Sequence, residues 1–172
     1  MRTITSAALA AALIGLAACS GPPWKTYPFQ DKGFIASFPA KPIVKDFPAE
    51  PSHAATTMID AATDQGEFTV AVIDGSASDK PADQVLSEVP DAMAKSTPQG
   101  GTVRLLTYTA VMAGPTAIMG RDFQIERPGQ PALRARVYVY NKRLYETVAV
   151  SPKGPTDPVV VKFLDSFLLL VK

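Results

Sequence analysis

At 172 residues, 47% of them hydrophobic, the chain can bury one core and falls in the size range of a single domain. Its 17 Lys+Arg nearly balance 16 Asp+Glu, which excludes the basic footprint of a nucleic-acid binder and a polybasic membrane patch. One cysteine and one histidine exclude a disulfide framework and a paired Cys or His metal site.

Arg2 supplies a short positive region ahead of Ile4 to Ala18, an uncharged run of Ala, Leu, Ile and Gly interrupted only by Thr5 and Ser6. The run is too short to span a bilayer as a helix, which takes ~20 apolar residues. It ends in Leu16-Ala17-Ala18-Cys19, where small side chains let a peptidase reach the backbone just before the one cysteine. The segment resembles the lipobox of bacterial lipoproteins. That resemblance implies diacylation of the Cys19 thiol, cleavage before it and acylation of the new amine. The alternative to this lipoprotein signal peptide of residues 1–18, an ordinary secretory signal with a chance cysteine, would leave an unpaired thiol in an exported protein, which is unusual. Each buried methylene contributes about 0.8 kcal/mol, so two or three acyl chains hold stably where one is marginal. Ser20 is not the aspartate associated with inner-membrane retention. By resemblance to that sorting rule, the periplasmic face of the outer membrane is the expected address in a cell with two membranes. Removing the signal takes away Arg2 alone among the charges and leaves a neutral mature chain, and lipidation leaves no thiol for redox or metal chemistry.

Residues 19–32 read as a lipidated tether, semi-extended through Gly21, Pro22, Pro23 and Pro28. Trp24, Tyr27 and Phe29 could anchor at the membrane interface. Docking onto the domain is favoured, because three aromatic rings in a free linker would be exposed apolar surface. Residues 33–172 then form one domain. Phe34 to Phe38 is a short strand, followed by a proline-rich connection to Pro51. Thr56 to Ala62 and Glu67 to Asp74 make a hairpin through Thr63-Asp64-Gln65-Gly66, and the second strand is apolar on both faces, which suggests a sheet covered on both sides. A helix is predicted from Asp79 to Thr97, capped by Ser78 or Asp79, with Pro81 in its first turn and Val85, Leu86, Val89 and Met93 at helical spacing. Pro90 predicts a kink or a break within it.

Thr102 to Met112 is a strand with Val103, Leu105, Thr107, Thr109 and Val111 on one face, turned by Ala113-Gly114-Pro115 into a strand from Thr116 to Arg127. Gly120 marks a bulge or a close contact in that second strand. Leu133 to Tyr140 and Arg143 to Val150 form a hairpin around Asn141-Lys142. Leu133, Ala135, Val137 and Val139 point one way; Arg134, Arg136, Tyr138 and Tyr140 point the other. Asp157-Pro158 opens a second helix, with Val160, Phe163, Leu164 and Phe167 at helical spacing, and Leu168 to Val171 finish as a short edge segment. The sum is an α+β fold: a mostly antiparallel sheet of about seven strands with two helices.

Gly33-Phe34-Ile35-Ala36-Ser37-Phe38-Pro39-Ala40-Lys41-Pro42, Gly120-Arg121-Asp122-Phe123, Arg134-Ala135-Arg136-Val137-Tyr138 with Arg143-Leu144-Tyr145, and Phe163-Leu164-Asp165-Ser166-Phe167 resemble a widespread class of bacterial domains, themselves similar to the PsbP and DcrB group. The resemblance spans nearly all of the mature chain. It implies an antiparallel sheet sandwiched by helices and a non-catalytic binding or assembly role. PsbP-type metal sites do not carry over, since a single histidine provides no matching ligand cluster.

Catalytic constellations are sparse. His53 is the only imidazole and lies in a Pro- and Ala-rich stretch, with no Gly-x-Ser-x-Gly elbow and no Ser-x-x-Lys pair. Asp122 and Glu126 could in principle pair for glycoside hydrolysis, yet on one face of a strand they read as solvated charges. Asp165-Ser166 reads as a pair of helix-end capping groups. Arg134, Arg136, Tyr138 and Tyr140, approached by Tyr145, combine the residue types enriched at binding hot spots; alternatively the tyrosines pack beneath a helix and the arginines are solvated. The expected function is a lipid-anchored envelope lipoprotein with a binding or scaffolding role and no metal or cofactor. Its expected partners are the membrane, through Cys19, and an envelope protein. The alternatives are an envelope hydrolase using carboxylates or His53, and a small-ligand-binding protein.

Overall fold

The computed structural model describes residues 23–51, 53–75 and 80–171, with backbone alone at 105 and 106. In chain order the elements are β1 (Lys25–Phe29), β2 (Phe34–Phe38), β3 (Ile43–Phe47), β4 (Thr56–Thr63), β5 (Gly66–Asp74), α1 (Ala82–Ser96), β6 (Thr102–Ala113), β7 (Thr116–Arg127), β8 (Gln130–Tyr140), β9 (Arg143–Val150), α2 (Pro158–Asp165) and β10 (Leu168–Leu169). The strands form one sheet in the order β1-β2-β10-β6-β7-β8-β9-β5-β4-β3. Every pairing is antiparallel except that of β10 with β6.

The hairpins form where local chemistry demands them. Asn141 and Lys142 both take positive φ (50° and 63°), as a two-residue turn matched to strand twist requires. In α2, Asp157 caps the first turn by accepting a hydrogen bond from the Val159 amide, with Pro158 behind it. Ser166 closes the other end, its Oγ donating to the Phe163 carbonyl and accepting from the Ser37 amide.

Among the described residues, ten strands replace the expected count of about seven. β1 falls inside the segment read as tether, so the sheet starts at Lys25; its Pro28 is tolerated because β1 is an edge strand whose second side needs no ladder. β3 lies in the proline-rich connection, at the opposite edge, with all five residues exposed; without a buried face it has no alternation to betray it. β10 is not an edge segment: it sits between β2 and β6. Helix α1 is shorter than predicted and begins after Pro81, which occupies the N-cap without a side-chain bond; the expected caps, Ser78 and Asp79, lie outside the described residues. It continues through buried Pro90 as one helix rather than two.

Two apolar clusters lie on opposite sides of the sheet. Helix α2 contributes Val160, Phe163 and Leu164 to a cluster with Phe34, Phe38, Phe68, Tyr138, Tyr145 and Phe167. Helix α1 packs Val85, Leu86, Val89 and Ala94 on Phe123, Ile125, Leu133, Ala135 and Val137. Because Tyr138 and Val137 are neighbours on one strand, the two clusters must face opposite ways. Each fully buried Phe, Leu or Val contributes roughly 1.5–3 kcal/mol. A bulge between Leu105 and Thr107 reverses the phase of β6, so Val103 joins the α1 side while Val111 joins the α2 side, and the single face expected for Val103 to Val111 is divided. Gly120 marks a close contact, not a bulge: a Cβ there would strike the Val137 carbonyl oxygen and lie 2.5 Å from the Tyr138 ring.

The sheet curls around α2 until its ends approach one another. Trp24, just before β1, meets Phe68 of β5 edge-on at 5.4 Å between ring centroids. Lys32, in the β1–β2 turn, donates to Asp46 on β3 at 2.9 Å and to Thr57 on β4 at 2.8 Å. The result is a half-barrel with α2 inside and α1 outside.

Candidate functional site

The Arg and Tyr stripe of β8 points to the α2 side, as alternation requires, and is drawn into the structure. Arg134 grips Asp122 with two parallel bonds, Nε to Oδ1 at 2.9 Å and Nη2 to Oδ2 at 2.8 Å. Arg136 donates through Nε to the same Oδ2 at 2.8 Å and through Nη1 to Asp165 of α2 at 2.7 Å. Asp122 is 2% exposed, and the two arginine side chains are 16% and 14% exposed. Burial pulls the Arg136 pKa down, but the hydrogen bonds to Asp122 and Asp165 outweigh it and the net direction is up. These arginines therefore sit mid-sheet, tied to carboxylates rather than solvated at an edge.

The tyrosines are structural in their surroundings. Tyr138 stacks on Phe167 with centroids 5.7 Å apart, and burial raises its pKa. Tyr145 faces Tyr138 in register and donates its hydroxyl to the Lys32 carbonyl at 3.1 Å. Burial raises its pKa too, opposed by Arg143. Tyr140 is half-buried beside a cavity of about 260 Å³, lined also by Gly33, Asn141, Arg143, Tyr145 and Leu170. That volume is below the usual ~300 Å³ minimum of a small-molecule pocket. Arg143 in its wall is bonded to Asp74 at 2.6 Å and to the Lys32 carbonyl at 3.2 Å.

The residues weighed for catalysis are not brought together. Asp122 and Glu126 stand about 13 Å apart along β7 at ~3.3 Å per residue, beyond the roughly 5–9.5 Å of a glycosidase pair. His53 is exposed, with Nε2 3.2 Å from Glu50 Oε2. Among the described residues, no three His, Cys, Asp or Glu side chains gather as a metal site. Cys19 lies outside the described residues.

Two features escaped sequence reasoning. Glu146 on β9 occupies the α1 side of the sheet, between Val137 and Ala71 in register, and burial pushes its carboxyl up to about 7. Its signal was an acid in phase with Leu144, Val148 and Val150. The second feature is an uncovered part of that same side. Tyr108 pairs with Arg121, Ala110 with Met119 and Met112 with Ala117, so six side chains stand together on β6 and β7 beyond the reach of α1. Tyr108, Met112 and Met119 are 62%, 46% and 55% exposed, and Leu168 beside them on β10 is exposed as well. Arg121 lies 3.7 Å above the Tyr108 ring.

No family model and no curated protein matches the chain. Among solved structures, the cyanobacterial PsbP protein CyanoP from Synechocystis sp. PCC 6803 aligns with a TM-score of 0.56 and 13% identity, covering 90% of this chain and 98% of that one. PA94, a protein of unknown function from Pseudomonas aeruginosa, aligns at TM-score 0.36 and 16% identity, over 77% of this chain and 85% of that one. The likeness to CyanoP speaks to fold alone, and on it the half-barrel is a PsbP-like fold.

Proposed function

We propose that this chain is a lipid-anchored envelope protein with a non-catalytic binding role, held at the membrane by acylated Cys19 and recognising a protein partner through the uncovered β6–β7 surface. The observation that carries the binding role is the contrast between the two kinds of surface. Asp122, Arg134 and Arg136 are consumed by pairing with one another and with Asp165, while Tyr108, Met112 and Met119 stand exposed side by side. Contiguous exposed apolar surface marks interaction sites, and methionine adapts readily to a partner's shape. Both sheet edges discourage strand addition: β1 carries Lys25 and Pro28, and β3 carries Lys45 between Pro42 and Pro48. A partner is therefore received on the face.

Mass spectrometry of the mature N-terminus tests the anchor; an acylated Cys19 is expected, and an unmodified one removes it. Photo-crosslinking side chains at 112, 119 and, as a control, exposed Asp91 on α1 test the surface in intact cells. Discrete adducts from 112 and 119 but not 91 are expected. Equal labelling at all three positions would refute the surface.

A further inference from the structure

A groove of about 240 Å³ beside the N-terminal end of β1 is lined by Pro23, Lys25, Tyr27, Phe38, Pro39, Ala40 and Lys41. Lys25 and Tyr27 share the side of β1 that faces α2. From that helix, Lys162 sets its ammonium 4.9 Å above the Trp24 ring. Lys25 and Lys41 thus line the groove itself, and Lys162 stands over Trp24, the chain neighbour of Pro23 and Lys25 in its wall. None of them takes part in an ion pair among the described residues. Asp165, one turn beyond Lys162, is already held by Arg136. The cluster is local in a chain that is neutral overall downstream of Arg2.

Chain geometry limits where this cluster can be. Pro23 is four residues past Cys19, so a fully extended connection places the groove at most about 14 Å from an acylated cysteine at the headgroup layer. Attraction between a lysine and an anionic leaflet extends about one Debye length, ~8 Å at physiological salt, and is worth about 1 kcal/mol per residue, a fivefold gain in binding. Aromatic walls flanked by cations suit the headgroup region, where one side is apolar and the other wet.

We infer that the groove between β1 and the β2–β3 connection is a docking site for the phosphate of an anionic phospholipid headgroup, which fixes the orientation of the half-barrel on the membrane. The closeness to the bilayer rests on the proposed lipidation of Cys19. The lysines, in contrast, bind or fail to bind vesicles whatever Cys19 carries. The test therefore uses the chain from Ser20 onward, which retains every described strand and helix, in flotation with vesicles of phosphatidylcholine with or without phosphatidylglycerol.

Binding at least about tenfold stronger to the anionic vesicles is expected, weakening with salt. Each of Lys25→Gln, Lys41→Gln and Lys162→Gln should lose about fivefold. The triple Glu variant K25E/K41E/K162E should show no preference for anionic vesicles, with folding checked by circular dichroism and the triple Gln variant as a milder substitute. K80E/K95E/K142E makes the same change in net charge elsewhere and should retain the preference. Equal binding to both vesicles overturns the inference, as does an equal loss in the control triple. Release by millimolar inorganic phosphate would assign the groove to free phosphate and overturn membrane docking. Failure of lipidation would show separately, in the mass of the N-terminus.

Discussion

Replacing Asp122 with alanine should be the most costly single change in the polar part of the sheet. Its carboxylate accepts three charge-assisted bonds, two from Arg134 and one from Arg136. Arg136 keeps Asp165 when Asp122 is lost, whereas Arg134 keeps no carboxylate. Removing one partner of a buried pair costs about 3–5 kcal/mol, because the remaining charge stays desolvated. Both guanidinium groups retain some access to water, which places the cost near the low end, about 3 kcal/mol. For a domain of this size that corresponds to a fall in Tm of roughly 6–12 °C. Thermal and urea denaturation followed by circular dichroism would measure it. Asp165→Ala should cost under about 1 kcal/mol, since its carboxylate is exposed. Converting the whole cluster, as D122L/R134M/R136M, should recover at least half of the D122A loss, because no unpaired charge remains. A D122A protein within about 1 kcal/mol of the parent, or a triple variant less stable than D122A, would refute this account.

Gly120→Ala should destabilise by roughly 2 kcal/mol or more, read as a lower urea midpoint, since its Cβ meets a backbone carbonyl that cannot swing aside. Glu146 should make stability depend on pH. Its folded pKa of about 7 lies above the unfolded value near 4.3, so both states are protonated below the lower value and no penalty applies. Between the two, the unfolded chain loses its proton first and stability falls as pH rises, reaching a full penalty of at most about 3.7 kcal/mol above the folded value. E146Q should therefore be more stable than the parent at about pH 8 and show a flatter profile down to about pH 5; an unchanged slope would count against the burial argument. Lys142→Gly should raise Tm slightly, by relief of about 0.5–1 kcal/mol of left-handed strain at φ 63°.

Legibility in the sequence followed the range of the interaction. The Asn141-Lys142 turn and the Asp157-Pro158 cap act over two or three residues, and both stand where expected. β1 and β3 were hidden because a strand at a sheet edge pairs on one side only, and β3 buries no face. The clearest loss concerns Asp122 and the arginines. One was weighed as a catalyst and the others as a recognition surface, yet they are partners, with Asp122 opposite Arg136. Only the cross-strand register joins them, and that register passes through an irregularity between Ile125 and Arg127 that no residue pattern announces. The β6 bulge at Leu105 likewise altered which threonines and valines share a side.

The position of β10 governs when the fold can be completed. Among the described residues β2 enters the body of the sheet only through Leu168 and Leu169, so its central partner follows it by more than a hundred residues. Contacts of such long sequence separation are slow to form and cannot precede emergence of β10. A chain made from its N-terminus would thus remain without this closing strand until β10 had emerged. Late closure makes loss of Leu168 and Leu169 far more damaging than two residues suggest, because β2 then has no partner on its inner side.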